Sequence, residues 1–207
     1  YCNVLKKIEE NATDNLAGYE INVSCPNVKD GGLSFGTNAP MVEELTAALR
    51  PLTQKLLVIK LTPNVTSVVP FVKASENASA DAISLINTVV GMSVDIRTKK
   101  PRLSTVTGGL SGPAIRPIAI AKVYEARKAT KLPIIGIGGI ASAQDAMEFF
   151  IVGACAVQVG TMNFVHPDAG VRICNELNDL LSAQGCASVS EVVSTLEVPE
   201  QMKALGW

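Results

Sequence analysis

Five short apolar runs, "YEINVSC" (19–25), "KLLVIKL" (55–61), "DAISLIN" (81–87), "LPIIGIGG" (132–139) and "CAVQVGT" (155–161), are set between segments of helical periodicity. That alternation constrains the fold more than any other feature. Strands separated by helices pair in parallel and are joined by right-handed crossovers. Helices are expected over "YCNVLKKIEENATDNLAG", ending at Gly18, then over 41–53, over 66–80 with an interruption near Pro70, and over 114–130, 142–154 and 167–185. Ser142 is placed to cap its helix and Asp145 suits the first turn. Residues 88–113 read as a long loop. The tail from Ser188 opens with a capping box, Glu191 lying three residues on.

Composition decides what kind of αβ chain this is. Of 207 residues, 47% are hydrophobic and 18% charged, enough for one sizeable core and a single domain over 1–207. A net charge of −1 gives no electrostatic reason to expect nucleic acid or an anionic membrane as partner. No apolar stretch reaches the roughly 20 residues of a membrane helix. Five cysteines, one histidine and no C-x-x-C pair make a zinc or iron–sulfur site within this chain an unsuitable reading. Free thiols fit a reducing cytoplasm. Cys155, inside the last apolar run, reads as a small core hydrophobe, as do Cys174 and Cys186 on or just after a helix. His166, beside Pro167, reads as a loop or helix-entry residue. The sequence opens "YCNVLKKIEE", with neither Met nor a signal-peptide pattern, and reads as the continuation of something longer.

Five βα units could form an open doubly wound sheet, or the last five units of an eight-unit (β/α)₈ barrel. The ends of the strands favour the barrel, whose working residues sit where strands run into the following loops. Here the ends carry Asn22 and Cys25, then Lys60, then Asn87-Thr88, then Gly138-Gly139, then Gly160-Thr161. Glycines after the final two strands let backbone N–H groups approach a phosphate. Asn22 is disfavoured in a strand and reads as a ligand residue. Lys60 is either a solvated strand cap or a cation facing the barrel mouth. Asn87-Thr88 either binds or simply ends its strand in a turn. Cys25 lies where a strand meets a polar, glycine-rich loop, an unusual place for a structural thiol.

Taken in order, "INVSCPNVKDGGLSFG", "IKLTPN", "INTVVGM", "GGLSGPAIRPIA", "IIGIGGI" and "VQVGT" resemble class 1 dihydroorotate dehydrogenase, specifically its NAD-linked 1B subfamily. The resemblance runs from about residue 1 to the C-terminus. It implies an FMN-binding TIM barrel that oxidises dihydroorotate to orotate in pyrimidine biosynthesis. It also implies a second subunit carrying FAD and a [2Fe–2S] cluster, which passes electrons to NAD, and a homodimer within a heterotetramer. By the same matching Cys25 would be the catalytic base. Asn22 would touch flavin and substrate, and Asn27, Asn87 and Thr88 would bind the pyrimidine. Lys60 would place positive charge near the flavin ring, and Ile86 would contact the flavin through its backbone. Gly112, Gly138, Gly139, Gly160 and Thr161 would hold the ribityl and phosphate portion.

The sequence departs from the family in one respect. The family's first three βα units, with an early lysine and an asparagine-glycine substrate loop, are not in it, so a truncated barrel is expected. Other readings share some of the blocks. The pyrimidine-reducing domain of dihydropyrimidine dehydrogenase shares "KLTPN" but diverges after "SCP". A non-catalytic flavin-binding fragment is opposed by the intact Asn22, Cys25, Asn27 and Lys60. A partner-free class 1A enzyme fits "INTVVGM" and "GGLSGPAIRP" less well.

Overall fold

A computed structural model describes residues 1–11, 15–24 and 36–203. The five expected runs form one parallel sheet of β1 (Gly18–Asn22), β2 (Leu56–Lys60), β3 (Ala82–Leu85), β8 (Ile134–Ile137) and β9 (Ala156–Gln158), in that spatial order. A doubly wound sheet reverses its strand order at a switch point. This sheet never reverses, so each crossover steps the same way, as in an arc of a barrel. Along β2, Leu57, Ile59 and Leu61 are buried while Leu56 is exposed, which separates a helix-covered face from an open, concave one. Asn22, Lys60 and Ser84 share one register across β1, β2 and β3 and therefore one face of the sheet.

The helices cover the other face. They are α1 (Cys2–Glu9), α2 (Ala39–Leu49), α3 (Val69–Asn77), α4 (Arg116–Ala129), α5 (Ala143–Ile151), the single turn α6 (Met162–Val165), α7 (Ala169–Ala183) and α8 (Glu200–Lys203). The buried stripe of α7, Ala169, Ile173, Leu177 and Leu181, repeats every four residues and explains why it lies flat on the core. At α5 the expected cap is present: the Ser142 side chain accepts from the Asp145 N–H and Asp145 reaches back to the Ser142 N–H. α1 is tied to the sheet through Glu9, which accepts from the Thr53 and Tyr19 hydroxyls. The Thr53 bond, with that from Tyr19, holds the Glu9 carboxyl below its ordinary pKa.

Several expectations are corrected. α1 stops at Glu9, and Gly18 opens β1 rather than closing a helix. α3 is unbroken, because Pro70 occupies its first turn, where no intrahelical N–H is lost. At its start the Val69 N–H donates to the Ser67 hydroxyl at 3.2 Å and the Val68 N–H to Glu125 of α4 at 3.1 Å. The stretch 88–113 contains two antiparallel pairs, β4 (Val89–Met92) with β7 (Thr107–Leu110) and β5 (Val94–Asp95) with β6 (Lys100–Pro101). The Ser188 box does not form: Glu191 accepts from the Ala187 N–H, and the Ser188 hydroxyl pairs with Ser190. Cys155 and Cys174 are exposed and Cys186 is half-buried. Cys155 immediately precedes an edge strand, and Cys174 follows the buried Ile173 on α7, so neither enters the core.

β8 packs its backbone directly onto α5. A methyl group at Gly136 would overlap the fully buried Phe149 ring and come within 3.3 Å of the Ala154 Cβ. Gly136→Ala is therefore expected to cost about 1–3 kcal/mol by overpacking, read as a lower denaturant midpoint. An unchanged midpoint would show that Phe149 has room to move.

Candidate active site

The C-terminal ends of β2, β3, β8 and β9 open into one cavity of about 140 Å³. Its wall contains Lys60, Ile86, Asn87, Thr88, Gly112, Gly138, Gly139, Gly160 and Thr161, nine of the residues singled out in the sequence, together with Ser111, Ile115 and Ile137. Four strand ends and the turn before α4 thus meet as a barrel mouth requires. Cys25 and Asn27 lie outside the described residues.

Asn22 stands beside this cavity and joins it through hydrogen bonds. Its Oδ1 accepts from the Ser24 N–H at 3.2 Å, the Ser24 hydroxyl at 2.9 Å and the Asn87 Nδ2 at 3.0 Å. Asn87 Nδ2 also donates to the Ser24 hydroxyl at 2.7 Å, while its Oδ1 accepts from the Thr88 N–H at 2.7 Å. The ends of β1 and β3 are locked together by this cluster. Its last member is the residue immediately before Cys25. Ser24 was not anticipated from the sequence, since a serine beside a candidate thiol carries no signal until Asn87 is brought to it.

Asn64 was missed as well. Its side chain accepts from the Val90 N–H at 2.9 Å and donates to the Thr88 carbonyl at 3.0 Å, pinning the segment that leaves β3. The only local hint is an asparagine after a proline at a strand end.

Lys60 is among the residues that line the cavity. Its Nζ lies 3.3 Å from Glu20 Oε1, and the other Glu20 oxygen accepts from Gln158 Nε2 at 2.8 Å. At the opposite end, Gly112, Gly138 and Gly139 take positive φ angles of 85°, 137° and 76°. The Thr161 hydroxyl donates to Ser111 at 2.8 Å, tying the end of β9 to the turn that precedes α4. A methyl group on Gly160 would meet nothing within 4 Å among the described residues, so they leave space over this glycine. A cation thus stands on one side of the cavity, and on the other a glycine-lined turn of the kind that lets backbone N–H groups approach an anion.

Arg116 is close to the cradle but already engaged. It forms an ion pair with the buried Asp145 and approaches Glu148 at 3.6 Å. Among the described residues, no group of three or more His, Cys, Asp or Glu side chains could hold a metal ion, and no helix is long and apolar enough to cross a membrane.

Comparison with known proteins agrees with this geometry. The family model for dihydroorotate dehydrogenase matches residues 1–181. The catalytic subunit of dihydroorotate dehydrogenase B (NAD(+)) from Bacteroides fragilis is 46% identical over 188 residues, covering 91% of this chain and 62% of that protein. The corresponding subunit from Geotalea daltonii is 50% identical over 183 residues, covering 88% and 60%. That from Geobacter sp. strain M21 is 48% identical over 203 residues, covering 96% and 67%. The chain therefore spans about three fifths to two thirds of the length of these relatives. The crystal structure of DHODH from Eimeria tenella in complex with ferulenol superposes with a TM-score of 0.73 at 23% identity, over 86% of this chain and 54% of that one. The five-stranded arc is part of a TIM-barrel fold.

Proposed function

The chain belongs to the dihydroorotate dehydrogenase family, whose chemistry implies a flavin, and on that premise we propose that it supplies most of an FMN-binding barrel that oxidises (S)-dihydroorotate to orotate. The observation that carries the reading is the cavity shared by Lys60, Asn87, Thr88 and the glycines of the last two sheet strands. Residues 1–207 form one domain in this reading.

Lys60 and the Ile86 backbone would hold the ring of FMN, with Asn22 at its edge. Gly112, Gly138, Gly139, Gly160 and Thr161 would hold the ribityl and phosphate portion. Bound there, FMN supplies the hydride acceptor. Cys25 removes the C5 proton of the substrate as a general base while the C6–H bond breaks with its electron pair, leaving the C5=C6 double bond of orotate. A thiol is suited to this, since its ordinary pKa of about 8.5 lies near the operating pH. Asn27, Asn87, Thr88 and Asn22 orient the pyrimidine. Asn87 can do so only from a fixed position, because its amide already spans Asn22, Ser24 and Thr88.

The relatives are named as catalytic subunits, which supports a second, electron-transfer subunit. We assign to that subunit the FAD and the [2Fe–2S] cluster, and to the assembly NAD as final acceptor, a homodimeric core within a heterotetramer and a cytoplasmic location. Anaerobic mixing tests the central claim. In the family-length protein, dihydroorotate should bleach the flavin with formation of one orotate, and uracil or dihydrouracil should be inert. Bleaching by the uracil pair alone would transfer the chain to pyrimidine reduction.

Lys60→Ala gives a separate expectation. Loss of the cation should weaken FMN retention and lower the flavin's midpoint potential, since the reduced anionic ring loses a stabilising charge. Potentiometric titration checks this. An unchanged potential with full FMN content would return Lys60 to a purely structural place.

A further inference from the structure

We propose that Glu20 is a tuning residue for the flavin: a counter-charge that tempers how much of the Lys60 charge the ring feels. The inference rests on the reading that the flavin ring lies beside Lys60. Glu20 is on β1, two residues before Asn22, and presents its carboxylate to the concave face of the sheet. One oxygen lies 3.3 Å from Lys60 Nζ. The other accepts at 2.8 Å from Gln158 on β9, at the far end of the five-strand order. Held by one oxygen from each side, the carboxylate is fixed against Lys60.

Nothing about packing explains a carboxylate here. The two side chains are 29% and 22% exposed, so their pairing adds little to stability. A neighbour of Lys60 in register, Ser84 on β3, has a fully buried hydroxyl without a hydrogen-bond partner among the described residues. It contributes no charge. Among the described residues, Glu20 is the carboxylate that ion-pairs with Lys60. A lone lysine would bias a flavin strongly toward its reduced anion. A lysine sharing its charge with a carboxylate biases it less, and the ring can then also release electrons. For a protein that must take electrons from one substrate and give them to a partner, that intermediate setting is the useful one.

Glu20→Gln separates charge from shape. The amide keeps an oxygen for Lys60, so the lysine stays in place while its counter-charge goes. The midpoint potential of the bound flavin should rise. Its affinity for sulfite, a probe whose adduct places negative charge on the ring, should tighten about three- to ten-fold, the order expected for one charge a few ångströms away when water screens it at a dielectric of about 80. Lys60→Ala, measured alongside in the flavin-loaded, family-length protein, should move both readouts the other way. If Lys60→Ala shifts them and Glu20→Gln does not, or shifts them in the same direction as Lys60→Ala, the role given to Glu20 is wrong while the flavin site stands. If neither variant shifts them, the flavin is not beside Lys60 and both readings fall. Should Glu20→Gln fail to fold, Glu20→Asp withdraws the carboxylate and should tighten sulfite binding by a smaller factor; no tightening overturns the role.

Discussion

Cys25→Ala slows dihydroorotate-driven flavin reduction by about 10²–10⁴-fold, the usual weight of a positioned base, and leaves FMN content and orotate binding close to wild type. The rate falls because no other group in the loop sequence "SCPNVKDGG" combines a free lone pair with a pKa near neutrality: Lys29 is cationic, and Asp30 is too weak a base to take a carbon-bound proton readily. The described structure contributes the anchor. Ser24, directly before Cys25, is held through both its N–H and its hydroxyl by Asn22 and Asn87, so the chain enters the loop from a fixed point beside the cavity. Cys25→Ser should recover part of the rate, with its optimum moved to higher pH because a hydroxyl loses its proton less readily than a thiol. Stopped-flow absorbance under anaerobic conditions reads the step directly. A wild-type rate for Cys25→Ala would remove the thiol from the mechanism.

Two glycines of the cradle are expected to behave differently when each is replaced by alanine. Gly139 has φ +76°, and a Cβ there would lie 2.7 Å from the Gly112 carbonyl oxygen and 2.9 Å from both the backbone N and the Cβ of Arg116. The left-handed conformation alone costs a non-glycine residue about 1–2 kcal/mol, and these backbone contacts cannot relax by a rotamer change. Gly139→Ala should lower the apo-protein Tm by about 5–10 °C, as a loss of 2–3 kcal/mol would in a chain of this size. It should also lose FMN, since the turn before α4 is pushed away from the end of β8. Gly160→Ala meets no atom of the described residues within 4 Å, so the apo-protein should melt as wild type does. Its methyl group instead enters the space assigned to the phosphate, and FMN should bind about ten-fold or more weakly, as loss of a charge-assisted hydrogen bond would cause. Thermal melts and FMN titration on both variants check the pair. Wild-type FMN affinity in Gly160→Ala would move the phosphate elsewhere.

What the sequence showed plainly was whatever depends on neighbours along the chain. The five apolar runs, the Ser142 cap and the polar strand ends are local patterns, and the crossover rule makes the sheet parallel, but its unreversed order is a property of the fold. The hairpins within 88–113 were hidden because "VVGM" and "TGGL" are short, rich in glycine and mostly exposed, so neither carries a strand's usual alternation. The unbroken α3 was hidden because its start at Val69, which puts Pro70 in the first turn, is held in part by Glu125, 57 residues away, which accepts from the Val68 N–H. The same division runs through the site. The gathering of Lys60, Asn87 and the glycines around one cavity was legible from their places at strand ends. Ser24, Asn64 and Glu20 were not, because each acts through a partner that only the fold brings near. Cys155 shows the converse: an apolar run suggests burial, but the residue leads into an edge strand and stays exposed.

The bond between Glu20 and Gln158 joins positions 138 residues apart, which bears on the order in which the molecule assembles. Contacts of such long sequence separation form only after the intervening loops have been closed, and they come late and slowly. The cavity has the same property, since its wall runs from Lys60 to Thr161 and needs β2, β3, β8 and β9 docked at once. A sheet lacking any one of these four strands lacks part of the cavity wall. By mass action, any group bound there at 100 times its Kd stabilises the completed state by about 2.7 kcal/mol, all of it directed against departure of the strand that closed the wall. Loading of the flavin proposed for this cavity would therefore favour the state in which the four strand ends are docked.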